Sequence, residues 1–198
     1  MINKAAKYIA HGLAHLDAIS SDDIELYRYA AFRIIFAIIP ILILGLIGLL
    51  CNSLLTCALF MLTYAVLRKY SGGFHFKSSY LCLIFSTLLL IGTFQLTSYI
   101  IVEKLYNFTS TMVLSAACIC FFLSPINTKR RKLSEVEIYS FKRTARRIIL
   151  ILLILYTSLC SLSLWQISIP IGMGVVLTAV LQIPYIVIQC IQKKNPVR

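Results

Sequence analysis

Four stretches of this chain carry no Asp, Glu, Lys or Arg: residues 34–67, 78–102, 105–128 and 148–192, which are 34, 25, 24 and 45 residues long. An α-helix rises 1.5 Å per residue, so about 20 apolar residues cross the roughly 30 Å of hydrocarbon in a bilayer. The two middle stretches each fit one span. The longest fits two, divided around Trp165–Pro170, where an interfacial tryptophan precedes a helix-breaking proline. The first stretch fits two if its leading helix starts near Tyr29, Arg33 snorkels, and the chain turns at Cys51-Asn52-Ser53. The expected fold is therefore all-α. It is a polytopic membrane helix bundle of about six transmembrane helices, forming a single domain over residues 1–198.

Composition supports a bilayer rather than water. Residues of the hydrophobic class make up 60% of the chain and charged ones 13%, about half the charged share of a soluble domain. The net charge of +12, from 19 Lys and Arg against 7 Asp and Glu, would suggest nucleic acid in a soluble protein. Here no basic patch is interleaved with a recognisable binding fold, so nucleic acid is not expected as a partner. The basic residues instead gather on one side. The turns near Asn52, Glu103-Lys104 and Trp165 hold only Lys104. The other side has Arg28, Arg33, Arg68, Lys69, Lys77, eight basic residues within 129–147, and Lys193, Lys194 and Arg198. By the positive-inside rule that side is cytoplasmic, and both termini lie on it. Residues 129–147 read as a basic cytoplasmic loop anchored near anionic headgroups, with docking of an acidic peptide as a second role.

Residues 1–26 form an amphipathic N-terminal segment. Ile2, Ile9, Leu13, Leu16 and Ile19 recur at helical spacing, as expected of a helix lying in the membrane interface. No cleavable signal peptide is expected, because the first long apolar run follows Asp17, Asp22, Asp23 and Glu25. Asp22 and Glu25 have the spacing of a capping box at the start of the first span. His11 and His15 lie four apart, but no glutamate stands between them, and they read as interfacial rather than metal-binding. The seven cysteines are odd in number and lie within or beside apolar runs, which is no disulfide framework. No metal or cofactor is expected.

One stretch departs from this pattern: Arg68-Lys69-Tyr70-Ser71-Gly72-Gly73-Phe74-His75-Phe76-Lys77-Ser78-Ser79-Tyr80-Leu81-Cys82. His75 and Cys82 are the residue types of a thiolate–imidazole pair. On one continuous helix, seven residues would separate them by about 10.5 Å. A dyad therefore needs a break, which Gly72 and Gly73 supply. With Ser79 as the helix cap, Cys82 becomes the third residue of the third span. Partial positive charge and unpaired N–H groups there favour a thiolate and could stabilise an oxyanion. Arg68 and Lys77 add positive potential. The bland alternative is a packing cysteine at a span entrance and a loop histidine. No carboxylate is near in sequence to orient His75.

The pattern Arg68-x-x-x-Gly72-Gly73-x-His75-x6-Cys82 resembles the accessory gene regulator B (AgrB) family. Chain length, the several spans, the basic segment after the fourth span, and Pro125 followed by Asn127 are similar too. The resemblance implies a membrane cysteine endopeptidase of bacterial quorum sensing. Its partner would be an AgrD-type propeptide, from which it removes the C-terminal part. Cys82 would hold the remainder as a thioester, from which a cysteine of the peptide closes a thiolactone. His75 and Cys82 would be catalytic, with Arg68, Gly72, Gly73, Lys77 and Ser79 supporting them. Membrane lipids would surround it, and a homodimer is compatible with this reading. The alternative from another class is a small peptide transporter or export component without covalent chemistry. Against it, the spans hold no carboxylate of the kind transporters use.

Overall fold

The computed structural model describes residues 2–16, 18–72, 78–126 and 134–185. Among them are seven α-helices and no strand: α1 (Ile2–His15), α2 (Ile24–Leu50), α3 (Leu54–Ser71), α4 (Ser79–Val102), α5 (Tyr106–Leu123), α6 (Glu135–Ser161) and α7 (Trp165–Val180). The helices α2 to α7 stand where six spans are expected. All of these except α3 belong to segments long and apolar enough to cross a membrane. The exception has 18 residues and ends in a turn carrying Arg68 and Lys69.

The bundle is built around α7. Every residue from Ser168 to Ala179 is buried, and the helix packs against α3, α4, α5 and α6. Helices in lipid gain little from hydrophobicity when they associate, so close backbone approach has to supply the attraction. Gly172 and Gly174 allow that approach. A Cβ on Gly172 would sit 2.6 Å from Val113 Cγ2 and 2.8 Å from Tyr156 Cε2. One on Gly174 would sit 2.8 Å from Thr63 Cβ and 3.1 Å from the Phe60 carbonyl oxygen. Phe60, Leu67, Phe94, Val113, Ile149 and Met173 fill the space between the helices. Outward, α2 presents Ile34, Ile38, Ile41, Leu42, Leu46 and Leu49 as an exposed apolar face, suited to lipid.

Turns lie close to the expected places. Asn52 adopts φ 50° between α2 and α3, a conformation that asparagine tolerates better than most residues. At the same end of the bundle, Trp165 stacks on Tyr106 with ring centroids 4.4 Å apart and 7° between planes.

Three expectations need correction here. Pro170 does not break the chain between spans. The break is at 162–164, and Pro170 is the sixth residue of α7, past the first positions, where a missing N–H is free of cost. Ser20, not Asp22, caps the entry to α2: its hydroxyl accepts from Asp22 N–H at 3.2 Å, starting a single 3-10 turn over Ser21–Asp23. Glu25 is left to pair with Arg28 at 2.6 Å. The segment 129–147 is not a loop throughout, because α6 starts at Glu135 with a reciprocal capping box. Ser134 Oγ accepts from Glu137 N–H at 3.3 Å, and Ser134 N–H donates to the Glu137 carboxylate at 2.8 Å. Lys142, Arg143, Arg146 and Arg147 are therefore helical, while Lys129–Lys132 lie outside the described residues.

The N-terminal helix is amphipathic as expected, and its small residues face the bundle. Ala6 and Ala10, fully buried, form its inward side, and α1 packs on α2. Ile9 and Leu16 remain exposed. Small residues permit the helix-to-helix approach and leave the larger apolar side chains facing out.

Candidate active site

The stretch from Arg68 to Cys82 joins the end of α3 to the start of α4. The last turn of α3 is closed by its own residues. Gly72 N–H donates to the Arg68 carbonyl at 3.2 Å, and Arg68 Nη1 donates back to the Gly72 carbonyl at 2.8 Å. Gly72 has φ 73° and ψ −152°, a region open to glycine almost alone. A Cβ there would also meet the Ile126 carbonyl oxygen at 3.1 Å. The first glycine of the pair is thus required by backbone angle and by space. Arg68 has a role beyond positive potential, since its guanidinium satisfies a carbonyl that the helix end leaves open.

Replacing Arg68 by alanine should cost about 1–2 kcal/mol of stability through loss of this charge-assisted bond. Lysine, which keeps the charge but not the planar fork, should restore only part of it. Thermal unfolding of the three proteins in detergent measures both. Equal stability of all three would show that the bond contributes nothing.

Ser78, not Ser79, is the N-cap residue of α4, and its side chain makes no capping bond. Ser79 is then the first helical residue and Cys82 the fourth. The Cys82 N–H donates to the Ser78 carbonyl at 3.1 Å. The amides that the helix itself leaves open are those of Ser79, Tyr80 and Leu81. Cys82 is half-buried. Both it and Arg68 lie within electrostatic range of the Tyr64 hydroxyl on α3, so the thiol belongs to the α3–α4 end of the bundle. Tyr80 is set edge-on against Phe36 of α2, centroids 5.5 Å apart, which helps fix the start of α4.

Cys57 is an informative contrast. It is likewise the fourth residue of its helix, at the opposite end of the bundle, yet it is buried and its thiol donates to the Leu44 carbonyl at 3.3 Å. That is a packing cysteine. Cys120 is also buried, while Cys51 and Cys118 are exposed on the apolar exterior. Gly73, His75 and Lys77 lie outside the described residues, as does Cys190.

Residues that the sequence did not single out complete this end. Ile126 N–H donates to the Ser71 carbonyl at 3.0 Å, tying the segment after α5 to the end of α3. Ser124 accepts from Gln182 Nε2 at 3.0 Å, tying it to α7. Arg146 of α6 donates to the Phe121 carbonyl at 3.3 Å and lies 4.8 Å from the centroid of the Phe121 ring. One signal was available: Gln182 is a strongly polar side chain within a charge-free stretch. A search for charges alone passes over it.

Residues 2–191 match the family model described as Accessory gene regulator B. A protein of Clostridium perfringens (strain 13 / Type A) described as "Putative AgrB-like protein 2" is 25% identical over 186 residues, which covers 89% of this chain and 86% of that protein. A second, from strain SM101 / Type A, described as "Putative AgrB-like protein", is 34% identical over 82 residues. That match takes in 41% of this chain and 38% of the relative's length. No solved structure matches the chain.

Proposed function

The chain belongs to the accessory gene regulator B family, and from that premise we propose that it is a membrane cysteine endopeptidase and cyclase, acting on an AgrD-type propeptide in quorum sensing. The observation that carries the reading is the setting of Cys82. It is a half-buried thiol in the first turn of α4, at the end of the bundle where α3 finishes in a motif built from Arg68 and Gly72.

In this mechanism His75 takes the Cys82 proton, and the Cys82 sulfur attacks the scissile carbonyl. The C–N bond breaks, and the C-terminal fragment leaves as an amine with a proton from His75. The N-terminal part stays as a thioester on Cys82. A thiolate from a cysteine of the peptide then attacks the same carbonyl, forming the thiolactone and returning Cys82 as the leaving thiolate. The second step exchanges one thioester for another, nearly balanced in energy. It is helped by the high effective concentration of an intramolecular nucleophile. A site at the mouth of an apolar bundle limits the water that would hydrolyse the intermediate. Lys77 and the open amides of α4 would hold the developing negative charge.

The basic side chains of α6 support placement of this end at the cytoplasmic face, where a newly made propeptide arrives. Exposed Lys142, Arg143 and Arg147 would anchor α6 near anionic lipid headgroups.

The reading is tested by co-expressing the protein with the propeptide and weighing the products. Wild type should release the C-terminal tail and leave a retained fragment lighter by one water than its linear form. An intact peptide recovered outside the cell would instead favour transport without covalent chemistry.

A further inference from the structure

Gln182 lies just past the end of α7 and is fully buried. Its Nε2 donates to Ser124 Oγ at 3.0 Å, and that serine is itself only 2% exposed. The other half of the amide is bare: Gln182 Oε1 is buried and has no hydrogen-bond partner among the described residues. Turning the amide over would exchange the two halves and still leave one unpaired. The hydroxyl of Ser71, the last residue of α3, is buried and unpartnered in the same way.

These groups are connected. From Gln182 the bond to Ser124 leads through Pro125 to Ile126, whose N–H is bonded to the Ser71 carbonyl. Ile126 also supplies the backbone oxygen that crowds Gly72. The central helix is thereby linked, through one corner of chain, to the turn from which the residues leading to His75 depart.

Stability alone does not account for this side chain. A buried amide with one half unpaired is worse for stability than an apolar side chain of similar size, and such groups in native structures call for another explanation. Local rules tend to be broken where function requires it. We propose that Gln182 is a positioning residue for peptide processing. Through Ser124 it fixes the Pro125–Ile126 corner, and through that corner the Ser71–Gly72 turn. The inference rests on the proteolytic reading above. It requires only that catalysis depend on fine placement, where displacement of about 1 Å can cost on the order of 100-fold in rate.

The test compares wild type, Gln182→Leu, Ser124→Ala and the double variant, in the full chain purified in detergent with the propeptide as substrate. Gln182→Leu should lower kcat on the order of 10- to 100-fold, with KM for the peptide little changed. Its thermal stability should stay close to that of wild type, because the bare amide oxygen is removed while the Ser124 hydroxyl loses its donor; the double variant, which removes both, should equal or exceed wild type. Ser124→Ala should lower kcat in the same way, and the double variant should be no slower than the slower single, since both act through one bond. If Gln182→Leu misfolds, Ser124→Ala alone carries the comparison. Unchanged kcat in the well-folded variants overturns the proposal, and so does a loss of activity that only parallels a loss of stability. Failure of wild type itself to process the peptide would count against the proteolytic reading instead.

Discussion

Cys82→Ala should abolish processing, by about 10⁴-fold or more, while the protein remains in the membrane at wild-type abundance. Removing a covalent nucleophile eliminates the route itself, and losses of this size are typical of such variants. Little else should change. The thiol is half-buried, the backbone bond from Cys82 to Ser78 does not involve it, and alanine is the better helix former. His75→Ala should fall in the same class, because the general base and acid is lost. Cys57→Ala provides the opposite result. That thiol is buried and bonded to Leu44, so its loss should reduce stability by about 1–2 kcal/mol and leave the chemistry intact. The two cysteines share a helical position and differ in surroundings. Peptide mass and detergent melting curves for the two variants separate a catalytic from a packing role.

Gly174→Val should have the largest structural effect. Even the first added carbon would lie 2.8 Å from Thr63 Cβ and 3.1 Å from the Phe60 carbonyl oxygen. The two further methyl groups have no space between α7 and α3. Overpacking a rigid core typically costs about 1–3 kcal/mol, and a clash with backbone exceeds that because backbone cannot change rotamer. The expected outcome is failure to recover folded protein, or a melting temperature lowered beyond that of any other variant proposed above. Gly92→Ala is the control. Nothing lies within 4 Å of a Cβ at Gly92, so alanine there should be neutral or stabilise α4 by up to about 1 kcal/mol. Equal behaviour of the two glycines would mean that α7 is not the tightly packed axis described above.

The broad architecture could be read from the sequence because bilayer thickness and backbone satisfaction leave a chain this apolar few alternatives. The turn at Asn52 and the aromatic end at Trp165 followed from span length and residue type. Local starts and stops were harder where two candidates compete. Ser78 and Ser79 are chemically alike, and the backbone alone decided between them. Pro170 looks like a break but is the sixth residue of α7, and the turn lies at 162–164, where no proline marks it. The start of α6 is encoded in Ser134-x-x-Glu137, a capping-box spacing set between two groups of basic residues. At the site, Arg68 and Gly72 were found as residue types, whereas the bond between them depends on the helix ending where it does. Ser124, Ile126 and Gln182 were not found. Their hydrogen bonds cross 55 and 58 positions of sequence, and no local pattern encodes a hydrogen bond at that separation.

The central claim is that Cys82 carries the peptide covalently. It is tested most directly with a propeptide whose ring-forming cysteine is replaced by alanine, so that the intermediate forms but cannot cyclise. Intact-protein mass spectrometry of the mixture should show an adduct equal to the N-terminal part of the peptide. It should map to Cys82, be released by hydroxylamine as a thioester is, and be absent from Cys82→Ala. Release of the tail by wild type without any adduct, or an unchanged adduct on Cys82→Ala, would contradict the account.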